Sequence, residues 1–176
     1  MEPTFIDEFG TKKWYYNKKL HREGGPAVVY VDGSEEWYNN GELHRIGGPA
    51  YICVNECQQW LVNDKWHRTD GPAIIRSNDY QAWYLNGNCH RVDGPARIHG
   101  DGTLAWYNKG KLHRINGPAY IEADGTQYWC FNGKLYREPQ NGEPMPVIVR
   151  KDSISYDGKT FIRTTDVEKY KYYPPG

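Results

Sequence analysis

The stretch Trp37-Tyr38-Asn39-Asn40-Gly41-Glu42-Leu43-His44-Arg45-Ile46-Gly47-Gly48-Pro49-Ala50 decides the fold. Its landmarks return along the chain: tryptophan at Trp14, Trp37, Trp60, Trp83, Trp106 and Trp129, and histidine at His21, His44, His67, His90 and His113, every step 23 residues without insertion or deletion. A strict period of this length marks stacked supersecondary units, which bury their apolar faces only against one another. Two turn signals punctuate each unit. One set is Asp32-Gly33, Asn55-Glu56, Asn78-Asp79, Asp101-Gly102 and Asp124-Gly125. The other is Asn17-Lys18, Asn40-Gly41, Asn63-Asp64, Asn86-Gly87, Lys109-Gly110 and Asn132-Gly133. Asn-Gly and Asp-Gly readily adopt the positive φ of tight hairpin turns, and the segments between them are rich in Trp, Tyr, Ile and Val, as strands are.

The spacing therefore predicts an all-β chain: an antiparallel β-hairpin repeat array of six units over residues 1–142, after a short lead-in at 1–12, and a C-terminal β cap over 143–176. The Gly-Pro-Ala of each unit interrupts one strand, because proline cannot donate to a ladder, and the repeated bend should curl the sheet into a trough or spiral. In the sixth unit Tyr136 replaces the histidine, as suits a terminal capping unit. Beyond it, Pro144-Met145-Pro146 reads as a break, Val147-Ile148-Val149-Arg150 as a strand, Ile154 to Ile162 as a hairpin, and the aromatic tail from Tyr170 as cover for the last strand edge.

With two-residue turns at both signals, Trp37 stands opposite His44, Tyr38 opposite Leu43 and Glu36 opposite Arg45. Across the other turn, Val28 stands opposite Trp37 and Val29 opposite Glu36. Alternation then puts Tyr38, Leu43, Arg45, Ala27 and Val29 on a core face, where the 29 series is always β-branched: Val29, Ile52, Ile75, Ile98, Ile121. The opposite face carries the fixed Trp37 and His44 beside positions that change from unit to unit: Val28, Tyr51, Ile74, Arg97, Tyr120, and Tyr30, Cys53, Arg76, His99, Glu122. A one-residue slip in either turn reverses these faces.

The pattern Glu36-Trp37-Tyr38-x-Asn40-Gly41-x-x-His44-x-x-x-Gly48 resembles the MORN repeat, over about residues 10–142. The resemblance implies an elongated antiparallel hairpin array serving as a scaffold or interaction module. The chain departs from that pattern systematically: Arg22, Arg45, Arg68, Arg91, Arg114 and Arg137 follow the His (or Tyr136) where the family carries a glycine. This His-Arg-x-x-Gly-Pro-Ala variant is similar to repeat proteins of large bacteriophages and giant viruses. It implies a protein acting in the cytoplasm of a host, on a host protein such as a defence factor.

Composition bounds the functions. Lys+Arg and Asp+Glu are both 22, so the net charge is zero, which speaks against a nucleic-acid or anionic-membrane binder. The N-terminus lacks a basic and apolar leader and no stretch approaches 18 apolar residues, so neither a signal peptide nor membrane insertion is expected. Cys53, Cys57, Cys89 and Cys130 have no metal-ligand spacing and read as free thiols in a reducing cytosol, although Cys53 and Cys57 flank a turn across which they could bridge. Histidines two strands apart lie about 9–10 Å from one another, too far to share a zinc ion. They read instead as structural groups whose ring nitrogens bond backbone at a turn or bend. The arginines read as cross-strand ion pairs, Glu36–Arg45 for example, or caps on exposed carbonyls.

No enzyme motif is present, and no catalytic residue, metal or cofactor is expected. The repeat scaffold is assigned to Trp37, His44, Arg45, Trp83, His90, Arg91, Trp106, His113 and Arg114. The partner-binding surface is assigned to Tyr51, Trp60, Trp66, Arg76, Arg97, His99 and Tyr120, with Trp60 and Trp66 forming an aromatic cluster in the irregular third unit. The expected function is non-catalytic binding of a host protein. The alternatives are sequestration of an anionic, nucleotide-type small molecule and a self-assembling homo-oligomeric scaffold.

Overall fold

The computed structural model describes residues 2–136 and the strands Ser153–Tyr156 and Lys159–Ile162. Among these residues there is no helix, and so none long and apolar enough to cross a membrane. The fold is an all-β antiparallel hairpin-repeat array. A 13-stranded sheet takes its strands in chain order, starting at Phe5–Ile6 and Lys12–Lys13 and adding two strands per unit. A row of two-stranded hairpins lies beside it, one per unit: Tyr15–Tyr16 with Lys19–Leu20, Tyr38–Asn39 with Glu42–Leu43, Leu61–Val62 with Lys65–Trp66, Tyr84–Leu85 with Asn88–Cys89, and Tyr107–Asn108 with Lys111–Leu112.

The two rows exist because each chain segment changes partners at its tryptophan. The N–H of Trp37 donates to the Ala50 carbonyl of the sheet at 2.7 Å, while its own carbonyl accepts the His44 N–H of its hairpin at 2.9 Å. Trp14, Trp60, Trp83 and Trp106 repeat the switch. The long strands expected from the sequence are therefore short ladders on either side of a pivot. The alanine opposite each pivot is fully buried: Ala27, Ala50, Ala73, Ala96 and Ala119 all have 0% exposure, so the Pro-Ala step is the inside of the bend. In the sixth unit the strand Gln127–Phe131 runs unbroken through Trp129, which pairs with Tyr136.

The two turn signals fold differently. At Asn40-Gly41 both residues have positive φ, 51° and 90°, and Tyr38 pairs with Leu43, which is the two-residue type I′ hairpin expected. At Asp32-Gly33 only the glycine is left-handed, at 90°. Tyr30 donates to the Ser34 carbonyl, Gly33 donates to that of Tyr30, and the Asp32 carboxylate accepts the Ser34 N–H at 2.8 Å. This is a three-residue loop, a type I turn closed by a left-handed residue. The register moves by one as a result: Val28 pairs with Glu36 and Val29 with Glu35, not with Trp37 and Glu36.

That single residue corrects the faces. Val28, Tyr30, Ser34 and Glu36 share one side of the sheet, and Val29 takes the other. Val28 and Ile74 are buried at 2% and 3%, whereas Val29 and Ile75 are only half-buried. The hairpin row leans over the Val28 side: Ile74 clusters with Tyr84 and Cys89, and Arg97 bonds the Tyr84 hydroxyl at 2.8 Å. The lead-in belongs to the array as well, since Phe5–Ile6 pairs with Lys12–Lys13 around a turn closed like the Asp-Gly loops.

Cys53 and Cys57 are joined as a disulfide across the equivalent loop of the third unit, with Cα atoms 5.2 Å apart, in place of two of the four expected thiols. Cys89 and Cys130 are free and buried. The expected C-terminal hairpin is present, with Ile154 paired to Phe161. The break at Pro144-Met145-Pro146, the strand at 147–150, the tail from Tyr170 and Arg137 lie outside the described residues.

Candidate binding face

The repeated motif builds a stack. The guanidinium carbons of Arg22, Arg45, Arg68, Arg91 and Arg114 each lie 3.9 Å from the ring centroid of Trp14, Trp37, Trp60, Trp83 and Trp106. Nη1 of each donates to the carbonyl of Pro26, Pro49, Pro72, Pro95 or Pro118, at 3.1–3.2 Å. A Cβ on Gly25, Gly48, Gly71, Gly94 or Gly117 would fall 2.9–3.1 Å from the guanidinium carbon. The motif spacing follows directly: arginine lies flat on the indole, its fork caps the proline carbonyl, and glycine leaves room for its edge. A cation–π contact of this kind contributes about 0.5–2 kcal/mol. In the third and fourth units Asp70 and Asp93 add ion pairs at 2.9 Å, and these carboxyls are held below the usual range by hydrogen bonds from Arg68 and Arg91. The Glu36–Arg45 pair expected from the sequence is replaced by this cap, and Glu36 acts on Tyr30 and Tyr38 instead.

The histidines tie each hairpin to the next. Nδ1 of His21, His90 and His113 accepts the N–H of Asn40, Lys109 and Asn132, the first turn residue of the following unit, at 3.2–3.4 Å, and His67 Nδ1 meets both the Asn86 N–H at 3.2 Å and the Asn86 side-chain oxygen at 2.8 Å. His44 faces the Asn63 side-chain oxygen at 2.6 Å. A neutral ring is needed to accept at Nδ1, so the series is structural wherever that bond forms. Burial lowers the pKa of His113, with the Asn132 side chain opposing. Among the described residues no three His, Cys, Asp or Glu side chains converge as a metal would require.

The residues assigned to binding divide. Tyr51, Trp66, Arg76, Arg97, His99 and Tyr120 lie on the side of the sheet over which the hairpins lean. Trp60 holds Arg68 on its ring and packs against the buried cluster of Ile74, Tyr84 and Cys89. Trp66 turns instead to Tyr84, with ring centroids 5.1 Å apart, and donates its indole N–H to Gln59 at 2.9 Å. The two indoles thus meet the same buried cluster, and each keeps a polar partner of its own, Arg68 for Trp60 and Gln59 for Trp66. Tyr51 stands between Glu36 and Gln59 in the ladder, and Tyr120 packs on Tyr128 at 5.8 Å. Exposed Arg76 lies 5.1 Å from the Tyr80 ring, and His99 meets the same ring edge-on at 4.9 Å. Arg97 is flanked across the ladder by Ala82 and Ala105 and lies 4.9 Å from the Tyr107 ring.

The face is electrostatically graded. In the second unit Tyr30 is pushed up to about 12, and Tyr38 is raised further, by burial first and then by the charge of Glu36. In the fourth and fifth units burial raises Tyr80 and Tyr107, and Arg97 pulls both the other way. No known family and no curated protein matches the chain. Tyr80, Tyr84, Tyr107 and Glu36 belong to this face although they were not assigned to it from the sequence. The signal was available in the serine or threonine after each Asp-Gly (Ser34, Thr103, Thr126), whose N–H closes the three-residue loop onto the aspartate.

Proposed function

We propose that the chain is a non-catalytic, MORN-like binding module that meets a protein partner with the tyrosine- and arginine-bearing side of its sheet. One observation supports this reading. The Trp–Arg–Gly stack and the His tie repeat almost unchanged, while the Val28 side of the sheet carries different groups at equivalent positions: Tyr51, Arg97 and Tyr120 in one row, Tyr30, Arg76, His99 and Glu122 in the next. A constant frame carrying changing Tyr and Arg side chains has the composition of an interface, where those residues concentrate binding energy. The resemblance to bacteriophage and giant-virus repeat proteins makes a host protein in the host cytoplasm the partner, with a defence factor blocked by occupancy as the concrete case.

The test is capture from host lysate followed by mass spectrometry, with three baits. Wild type and a Gln81→Ala/Gln127→Ala control on the other side of the sheet should retain the same partner. A Tyr51→Ala/Arg76→Ala/Tyr120→Ala bait should lose it. Equal capture by all three, or no specific capture by well-expressed wild type, refutes the reading. Sequestration of a nucleotide-type anion is the second reading, favoured by Arg97 lying among Tyr80, Tyr84 and Tyr107. A thermal shift with nucleotides tests it, since ligand at 100 times its Kd adds about 2.7 kcal/mol.

A further inference from the structure

The charge at the centre of the face is unbalanced. Arg97 comes from the sheet strand Arg97–Ile98, and its cross-strand neighbours on both sides are alanines, Ala82 and Ala105. Corresponding positions elsewhere carry Glu36, Gln59 or Tyr128. The small neighbours leave the guanidinium lying low on the sheet, with Tyr84 and Tyr107 leaning over it from the hairpin row. One Nη donates to the Tyr84 hydroxyl at 2.8 Å, and the buried Nε has no partner among the described residues. The groups acting on Arg97 are Tyr84, Tyr107, Cys89 and Tyr80, and none of the described ion pairs includes it. Exposed Arg76 and half-buried His99 stand against Tyr80 on the same side. Half-buried positive charge is ordinarily paired, because desolvation is otherwise uncompensated. Five other arginines in this chain have that compensation from an indole and a carbonyl. Arg97 has the Tyr84 hydroxyl, the rings of Tyr84 and Tyr107 and the Cys89 thiol, and its Nε donor stays unpartnered.

We propose that Arg97, with Arg76 and His99 beside it, is the receptor for a carboxylate on the protein partner, an Asp or Glu side chain. This rests on the protein-binding reading above and names the chemistry of its centre. A carboxylate matches the fork of a single guanidinium. The acidic positions on the same side, Glu36 in the second unit and Glu122 in the sixth strand pair, lie on either flank, so the partner's acidic group is steered to the middle of the array.

The test follows the Arg97 Nε–H signal in the full chain labelled with nitrogen-15 at arginine. N-acetylglutamate is titrated in at constant ionic strength with chloride as balance, and adenosine monophosphate in a parallel series. The Arg97 signal should move saturably with N-acetylglutamate, half-saturating in the millimolar range, while the stacked Arg45 stays fixed. The unpaired charge also predicts that Arg97→Met melts at the same temperature as wild type or above it. Absence of a saturable shift, an equal shift at Arg45, or a lower melting temperature for Arg97→Met overturns the proposal. Binding of the nucleotide at least tenfold tighter than N-acetylglutamate overturns the carboxylate assignment. These outcomes are read without any partner, so they are independent of the lysate capture.

Discussion

Gly71→Ala is the sharpest probe of the stack. Gly71 is not left-handed, so alanine fits its backbone, and any cost comes from what the new methyl meets. It meets Arg68: 2.9 Å to Cζ and 3.1 Å to Nε and Nη2. Non-bonded carbons settle near 3.5–4.0 Å, so the guanidinium must move by about half an ångström or more. It has nowhere to go without loss. Trp60 holds it at 3.9 Å, Nη1 is on the Pro72 carbonyl at 3.2 Å, and Nε is on Asp70 at 2.9 Å. Overpacking of this kind costs about 1–3 kcal/mol.

With Arg68→Ala the obstacle is gone, and Gly71→Ala should then be neutral or stabilise by about 0.4–1 kcal/mol through the unfolded chain. The expected coupling is thus about 1.5–4 kcal/mol, measured by urea unfolding of Gly71→Ala, Arg68→Ala and the double variant, followed by tryptophan fluorescence. Gly24 is the control, because its φ is +73° and an added Cβ would meet nothing within 4 Å. Gly24→Ala should cost the same with or without Arg22. If Gly71→Ala costs the same in both backgrounds, the glycine serves the backbone and the explanation of the motif is wrong.

Burial holds the pKa of His113 below its unfolded value of about 6.5, so its contribution is fully present above that pH and is lost as pH falls through it toward the folded value. Unfolding free energies between pH 8 and 5 should show this loss, and His113→Phe should remove that part of the slope. Glu36→Gln should bring the ionisations of Tyr30 and Tyr38 down together, read by carbon-13 signals of the phenol ring; unchanged titrations would show that Glu36 does not act on them. Thiol titration of the denatured, unreduced chain should find Cys89 and Cys130 reactive and Cys53 and Cys57 not. The same count on protein taken rapidly from cells tests the compartment, since the bridge persists where the surroundings are oxidising and opens in a reducing cytosol.

The architecture was legible because period and turn chemistry are local. A 23-residue step and Asn-Gly with alternating neighbours dictate hairpins whatever lies around them. The face was not legible, because it depends on a difference the letters barely show. Asp32-Gly33 and Asn40-Gly41 look alike, yet Asn40 is left-handed and Asp32 is not, since the Asp32 carboxylate is spent on the Ser34 N–H and favours a loop one residue longer. In a single sheet that slip would exchange inside for outside along the whole chain. Here it does so only between Ala27 and Glu36, because the pivot at Trp37 separates the sheet from its hairpin and the type I′ turn keeps the hairpin register. The consequence is specific. Val28 and Tyr38, expected on opposite faces, come to one side, and the same geometry, with Arg97 three units on from Val28 and Tyr84 two units on from Tyr38, brings Arg97 under Tyr84. The cationic centre is therefore a product of the extra turn residue. A variant that shortened the Asp101-Gly102 loop to two residues should rotate Arg97 out from between Ala82 and Ala105 while leaving the Trp106–Arg114 stack in place, since that stack is built on the far side of the pivot.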